Sequence, residues 1–235
     1  MSSAPRVPVF CALDTTDLAR ARTWAEAALS AGLGVKIGKE FFGAHGPQGI
    51  KAVLPEGAPL FLDLKLHDIP NTVAGGIRAA SESVAPFCMN VHASGGPAML
   101  RAAADAAKAA KRPPLLLAVT VLTSLDDADL AAVGVPGGAE AQVKRLAALA
   151  EANGAHGVVC AAHEIAALRS QNSRGFKLMV PGIRPANAAG DDQKRTMTPR
   201  EALGLGADWL VIGRPITATA DPAAAARAIA AEVAG

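Results

Sequence analysis

The stretch Phe61 to Thr72, FLDLKLHDIPNT, plants three ionised side chains of both signs in an apolar run. Phe61, Leu62, Leu64 and Leu66 read as a short buried strand, and residues two apart on a strand share a face, so Asp63 and Lys65 point the same way. Asp68 falls just past the strand end, before Ile69-Pro70, where a proline stops a strand and can open a helix. A charge buried singly at such a place costs several kcal/mol, roughly, so the three groups compensate one another or a charged ligand. One reading is a structural ion-pair network capping a strand. The other is a functional site whose charges meet those of a bound ligand.

The elements that must position these groups alternate regularly. Short apolar runs at Val7–Leu13, Gly34–Ile37, Leu60–Leu64, Phe87–Val91, Leu115–Thr120, Gly157–Cys160, Lys177–Val180 and Trp209–Ile212 read as strands. Alanine-rich amphipathic stretches follow them at Asp17–Ala31, Pro47–Val53, Asn71–Val84, Gly96–Lys111, Ala139–Asn153, Ala162–Ser170, Thr198–Leu203 and Asp221–Val233. Eight such pairs predict an α/β fold, a single-domain (β/α)8 TIM barrel over residues 1–235. The alternative, an open doubly wound sheet, lacks a G-x-G-x-x-G after its first strand. The two longest connections, Thr123–Gly138 and Pro181–Met197, are expected to carry function.

Composition narrows the partners. The balance of 23 Lys+Arg against 21 Asp+Glu provides no basic field for nucleic acid or an anionic membrane. No apolar run approaches the roughly 20 residues of a membrane span, and MSSAPRVPVF lacks the apolar core of a signal peptide, so a cytoplasmic protein is expected. Cys11, Cys88 and Cys160 are far apart in apolar segments, without C-x-x-C spacing, and read as buried reduced thiols rather than metal ligands.

In a barrel the chemistry gathers at the C-terminal ends of the strands. The first strand ends at Asp14, which either faces the site or caps the next helix. The second carries Lys36 between Val35 and Ile37, either reaching for solvent or paired inside. The fourth ends at His92; like His67, it is left without a role on local grounds. The fifth delivers Thr120 and Thr123, whose hydroxyls suit an amide-like ring edge or loop backbone. After the seventh come Arg184 and a polar loop with Asp191, Asp192 and Gln193; after the eighth, Gly213-Arg214 leads into a helix. An arginine opposing the macrodipole there makes sense with an anion between it and the free N–H groups, and a surface ion-pair role is the alternative.

The D-x-K-x-x-D-I-P-x-T pattern resembles the signature of the orotidine 5′-phosphate decarboxylase family. The segments NVHASGG, LLAVTVLTS, GVVCAAHE, VPGIRP, DDQKR and WLVIGRPIT also look like its bacterial form, so the resemblance runs nearly end to end. It implies cofactor-independent loss of CO2 from orotidine 5′-phosphate to give uridine 5′-monophosphate. Lys65, Asp63, Asp68 and Lys36 would be the catalytic groups, and Asp14 and Lys36 would contact the ribose. The whole run Asp63, Leu64, Lys65, Leu66, His67, Asp68, Ile69, Pro70, Asn71 and Thr72 would line the substrate. Thr123 would meet the pyrimidine, while Arg184, Gln193, Gly213 and Arg214 would hold the phosphate. The resemblance also implies a homodimer in which Asp68, Ile69 and Thr72 enter the partner's site. Some relatives add a tyrosine near the phosphate; this chain has none.

Two rivals remain at this level. A metal-dependent sugar-phosphate decarboxylase or aldolase on the same barrel would use a similar motif, but presents an acidic metal ligand where this chain has Lys36, a cation that repels Mg²⁺. A non-catalytic nucleotide-binding protein would keep the phosphate site and never release CO2.

Overall fold

Val9, Phe10, Cys11 and Ala12 are all buried, as befits a parallel strand covered on both faces. A computed structural model describes residues 3–185 and 197–234 of the chain. Its strands are β1 (Val9–Ala12), β2 (Gly34–Gly38), β3 (Leu60–Leu66), β4 (Cys88–His92), β5 (Leu115–Val119), β6 (Gly157–Val159), β7 (Lys177–Pro181) and β8 (Trp209–Ile212). They pair in sequence order, all parallel, and β8 returns to β1, closing the barrel. The helices among the described residues are α1 (Leu18–Ser30), α2 (Lys39–Val53), α3 (Pro70–Val84), α4 (Gly96–Ala109), α5 (Asp127–Ala132), α6 (Gly138–Ala152), α7 (Ile165–Gln171), α8 (Pro199–Gly204), α9 (Arg214–Thr217) and α10 (Pro222–Ala234). The fold is the expected (β/α)8 barrel.

Alternation along the strands separates two cores. One set of strand side chains, including Val9, Cys11, Val35, Ile37 and Leu62, packs outward against the helices. The other, Phe10, Ala12, Phe61, Cys88, Leu117, Met179 and Val211, fills the barrel interior. Phe10 takes so much of that interior that a Cβ on Gly34 would lie 2.6 Å from its ring. One step further up the same inward-facing rows stand Lys36, Asp63 and Asn90, each buried. The apolar plug thus ends in a polar layer at the C-terminal mouth, the layering that lets a filled barrel carry a site on its top.

The structure departs from the sequence expectations in local ways. Helix α2 begins at Lys39 rather than at Pro47; Gly46, at φ 57°, absorbs the break that the proline imposes, so the chain is helical on both sides of it. The long connection at Thr123–Gly138 contains α5, started by a capping box between Asp126 and Asp129. The stretch from Ala162 opens as a 3-10 turn before α7. An additional short helix, α9, follows Gly213 ahead of α10. Asp17, not Asp14, caps α1, accepting from the N–H groups of Ala19 and Arg20 at 2.9 and 3.0 Å. Asp14 is thereby released from the local role that its sequence also allowed.

Candidate active site at the barrel mouth

β3 carries the site, and it does so through an irregularity. Leu62 aligns with Met89 of β4 and Leu66 with Val91. Three residues of β3, Asp63, Leu64 and Lys65, therefore stand opposite a single residue of β4, Asn90. Such a bulge bends the strand and re-aims its side chains. Lys65 takes the left-handed conformation, φ 50°, which costs a non-glycine residue about 1 kcal/mol or more. Simple alternation would also have put Asp63 and Lys65 on one face. The structure brings them together by the bulge instead.

The Lys65 ammonium lies 2.7 Å from Asp63 Oδ1. Lys36 Nζ lies 3.4 Å from Asp63 Oδ2 and 3.2 Å from Asp14 Oδ1. Asn90 Nδ2 donates to Asp63 Oδ1 at 2.7 Å, and Asn90 Oδ1 accepts from the Lys65 N–H, also at 2.7 Å. Lys36 is thus paired inside rather than reaching for solvent. Burial alone would raise the Asp63 carboxyl, but the ammoniums of Lys36 and Lys65 with the hydrogen bonds from Lys65 and Asn90 outweigh it and hold Asp63 below the usual carboxylate range. Gly38, where β2 gives way to α2, keeps the approach open: a Cβ there would lie 3.3 Å from Lys36 Nζ and 3.7 Å from Asp14 Oδ1.

The described residues bring Asp14, Lys36, Asp63 and Lys65 together. Asp68 stands outside that network within the protomer, exposed, with its Oδ1 accepting from the Ile69 N–H at 2.6 Å. Ile69 is 67% exposed, and His67, Pro70, Asn71 and Thr72 are exposed beside it, whereas Leu64 and Leu66 are half-buried. Thr123 is exposed in the loop after β5, and Thr120 Oγ1 donates to the Val159 carbonyl at 3.3 Å, the backbone alternative for that hydroxyl. The seventh and eighth strand ends deliver Arg184, half-buried, and Arg214, exposed at the start of α9 after Gly213. Gly182, at φ 77°, makes the turn that leads from β7 to Arg184. Because β8 pairs with β1, these loops sit on the rim next to the Asp14 end. Gln193, Asp191 and Asp192 lie outside the described residues.

Asn90 is the participant that sequence reasoning missed. Its signal was a lone amide inside the apolar strand CMNVH, next to a charged strand. His92, at the end of the same strand, faces His67 at 5.4 Å between ring centroids. Burial, then His67, and then Lys39 and Lys65 push the His92 imidazole below its ordinary value, against the opposing pull of Asp63. Cys11, Cys88 and Cys160 are buried free thiols, with burial pushing Cys11 up to about 12. Among the described residues no cluster of His, Cys, Asp or Glu has metal-binding geometry, and no helix is long and apolar enough to cross a membrane.

A cavity of about 580 Å³ opens beneath Leu60 at the opposite end of the barrel and is lined by residues that include Leu54, Ser81 and Ala85. An ion pair between Arg112 and Glu56 at 2.9 Å borders it. None of the mouth residues reaches it, and in barrels that end serves stability.

A protein from Rhodospirillum rubrum named orotidine 5′-phosphate decarboxylase is 51% identical over 241 aligned residues, covering 100% of this chain and 97% of its own. One of the same name from Paramagnetospirillum magneticum is 53% identical, covering 96% and 98%. The crystal structure of orotidine 5′-phosphate decarboxylase from Lactobacillus acidophilus superposes with a TM-score of 0.84 at 36% identity, covering 97% of this chain and 100% of that one. The family profile described as Orotidine 5′-phosphate decarboxylase / HUMPS family matches residues 8–229. Since that match spans all eight strands and the charged mouth they build, the chain belongs to the Orotidine 5′-phosphate decarboxylase / HUMPS family.

Proposed function

We propose that the chain, residues 1–235 acting as one catalytic domain, decarboxylates orotidine 5′-phosphate to uridine 5′-monophosphate and CO2. The observation that carries this reading is the alternating charge array Asp14, Lys36, Asp63, Lys65, with the central carboxylate held by a different lysine at each oxygen. Breaking the bond from C6 to the carboxylate leaves an electron pair in the plane of the pyrimidine ring, where no adjacent carbonyl is placed to delocalise it. Stabilisation must therefore be electrostatic, and a fixed ammonium in a partly buried site supplies it without reorganisation.

In this mechanism the Lys65 ammonium stands against the developing carbanion, CO2 departs, and the Lys65 proton passes to C6, leaving a neutral amine that solvent reprotonates. Asp63 and the partner protomer's copy of Asp68 crowd the substrate carboxylate. Asp14 and Lys36 hold the ribose hydroxyls, and Thr123 meets the ring. Arg184, Gln193, Gly213 and Arg214 bind the phosphate. The homodimer is part of the proposal: the exposure of Asp68, Ile69 and Thr72 supports their entering a neighbouring site rather than their own. The sugar-phosphate alternative is disfavoured by Lys36, whose ammonium sits on the carboxylate that a divalent cation would need.

The test is turnover of orotidine 5′-phosphate by purified protein in chelator, followed by the ultraviolet change, with Lys65→Ala alongside. Turnover that survives chelation and collapses in the variant supports the reading. A folded, dimeric wild type without turnover rejects it, and Mg²⁺ with sugar-phosphate acids would be tried next.

A further inference from the structure

Asn90 is 1% exposed and lies opposite the bulge that carries Asp63 and Lys65. Its amide makes one bond to each: Nδ2 donates to the Asp63 carboxylate and Oδ1 accepts from the Lys65 N–H, both at 2.7 Å. The orientation is fixed by chemistry, because a backbone N–H offers only a donor and an ionised carboxylate only acceptors. No other residue of β4 stands across from the bulge. Without this amide, the N–H of a residue in the left-handed region would lose its buried partner, and one carboxylate oxygen would keep only the flexible Lys65 ammonium.

We propose that Asn90 is a positioning residue for the decarboxylation, clamping the left-handed Lys65 backbone and the Asp63 carboxylate in one fixed relation so that the Lys65 ammonium meets the reacting carbon. The inference rests on the function proposed above and adds a residue to it. Asn90 does not touch substrate in this scheme; it acts through the two groups that do. Its effect should therefore fall on the chemical step, since the ribose and phosphate contacts are made by other strands.

The test uses the full-length protein, orotidine 5′-phosphate as substrate and uridine 5′-monophosphate as a binding probe. Asn90→Leu keeps the branching at Cγ and deletes both hydrogen bonds. Its kcat is expected to fall about 30- to 100-fold, because misplacing a reacting group by an ångström costs on that order. KM and product affinity should stay within about threefold of wild type, as those contacts are intact. Asn90→Asp keeps the acceptor toward Lys65 but turns a carboxylate toward Asp63, which is otherwise faced by Lys36 from β2, Lys65 on its own strand, and the Cys88 thiol and the His92 imidazole from β4. Its deficit should shrink as pH falls and the two carboxylates share a proton, a response that a purely structural amide would not give.

A folded Asn90→Leu with kcat close to wild type overturns the inference. So does a parallel loss of kcat and product affinity. Should Asn90→Leu not fold, the Asn90→Asp profile decides, and a deficit equal at every pH overturns the proposal. Wild type without turnover overturns both this inference and the function beneath it, whereas turnover matched by the variants overturns this inference alone.

Discussion

The two oxygens of Asp63 are held by two different lysines, Oδ1 by Lys65 at 2.7 Å and Oδ2 by Lys36 at 3.4 Å. The carboxylate is therefore the hinge of the charge array, and each lysine has a distinct relation to it. Lys65 is the more exposed of the two, with 28% of its side chain accessible, and Lys36 the more enclosed, at 11%.

Removing Lys36 should cost stability as well as rate. In Lys36→Met the buried Asp63 retains a single ammonium, and breaking a buried pair from one side costs about 3 kcal/mol. Adding Asp63→Asn to that variant should restore most of the lost stability, because the stranded charge is gone, while turnover stays absent. Urea unfolding of the single and double variants measures this; equal stability of Lys36→Met and wild type would contradict the pairing.

Two glycines separate the close approaches of the barrel from its open surface. A Cβ on Gly157, in β6, would lie 2.1 Å from the Lys177 carbonyl oxygen on the neighbouring strand, and backbone cannot yield as a side-chain tip can. Gly157→Ala should destabilise by about 2–3 kcal/mol. Gly43, exposed within α2, meets nothing within 4 Å, so Gly43→Ala should stabilise by about 0.5–1 kcal/mol through its better helix propensity. Thermal unfolding of the pair checks both signs.

The barrel was legible because short continuous apolar runs and alanine-rich amphipathic stretches alternate along the chain, and burial on both strand faces is written directly into residue type. The charged mouth was legible because Asp63, Lys65 and Lys36 are out of place among Leu, Val and Ile. What sequence could not reveal is how the backbone brings them together. The left-handed turn at Lys65 belongs to a residue type that rarely adopts it, and which of Asp14 and Asp17 caps the helix depends on where α1 starts. Asn90 was passed over because an amide carries no charge to signal the cost of burying it; only its opposition to the bulge gives it meaning. Helix α5 was hidden in a stretch whose aspartates read equally well as loop.

The pH response of stability should include a contribution from His92. Its folded imidazole is held below the ordinary value of 6.5, chiefly by burial and then by His67. The unfolded chain therefore takes up that proton first. The stabilisation is present above about pH 6.5 and is lost as pH falls from there through the lower folded value. His92→Gln should flatten the fall in unfolding temperature as pH drops below about 6.5. Asp63 does not mask the effect, since its own value lies below 3.8. An unchanged slope in the variant would contradict the assignment.

If Arg184, Gln193 and Arg214 grip the phosphate, that grip serves chemistry at a distant carbon. Binding energy from a non-reacting part of a substrate can order the loops and fix the ring, so orotidine lacking the phosphate should lose kcat as well as affinity. Steady-state kinetics on the nucleoside and the nucleotide decide this, and an effect confined to KM would remove the phosphate from the catalytic account. Arg214→Ala should show the same double loss with the nucleotide.

Asp68 offers a test of the proposed homodimer that needs no structure of it. Lys65→Ala and Asp68→Ala should each be nearly inactive as homodimers. When the two are mixed under conditions that exchange subunits, a heterodimer contains one site built from Lys65 of the Asp68→Ala chain and Asp68 of the Lys65→Ala chain, and that site is wholly wild type. The other site of the pair lacks both groups. Random exchange makes half of the dimers mixed, each with one working site of two, so about one quarter of wild-type activity should return. Were Asp68 to serve its own protomer's site, every site in the mixture would lack one group or the other and no activity would return. The exposed, outward-standing Asp68 and Ile69, set apart from the Asp14, Lys36, Asp63 and Lys65 network, make recovery the expected result.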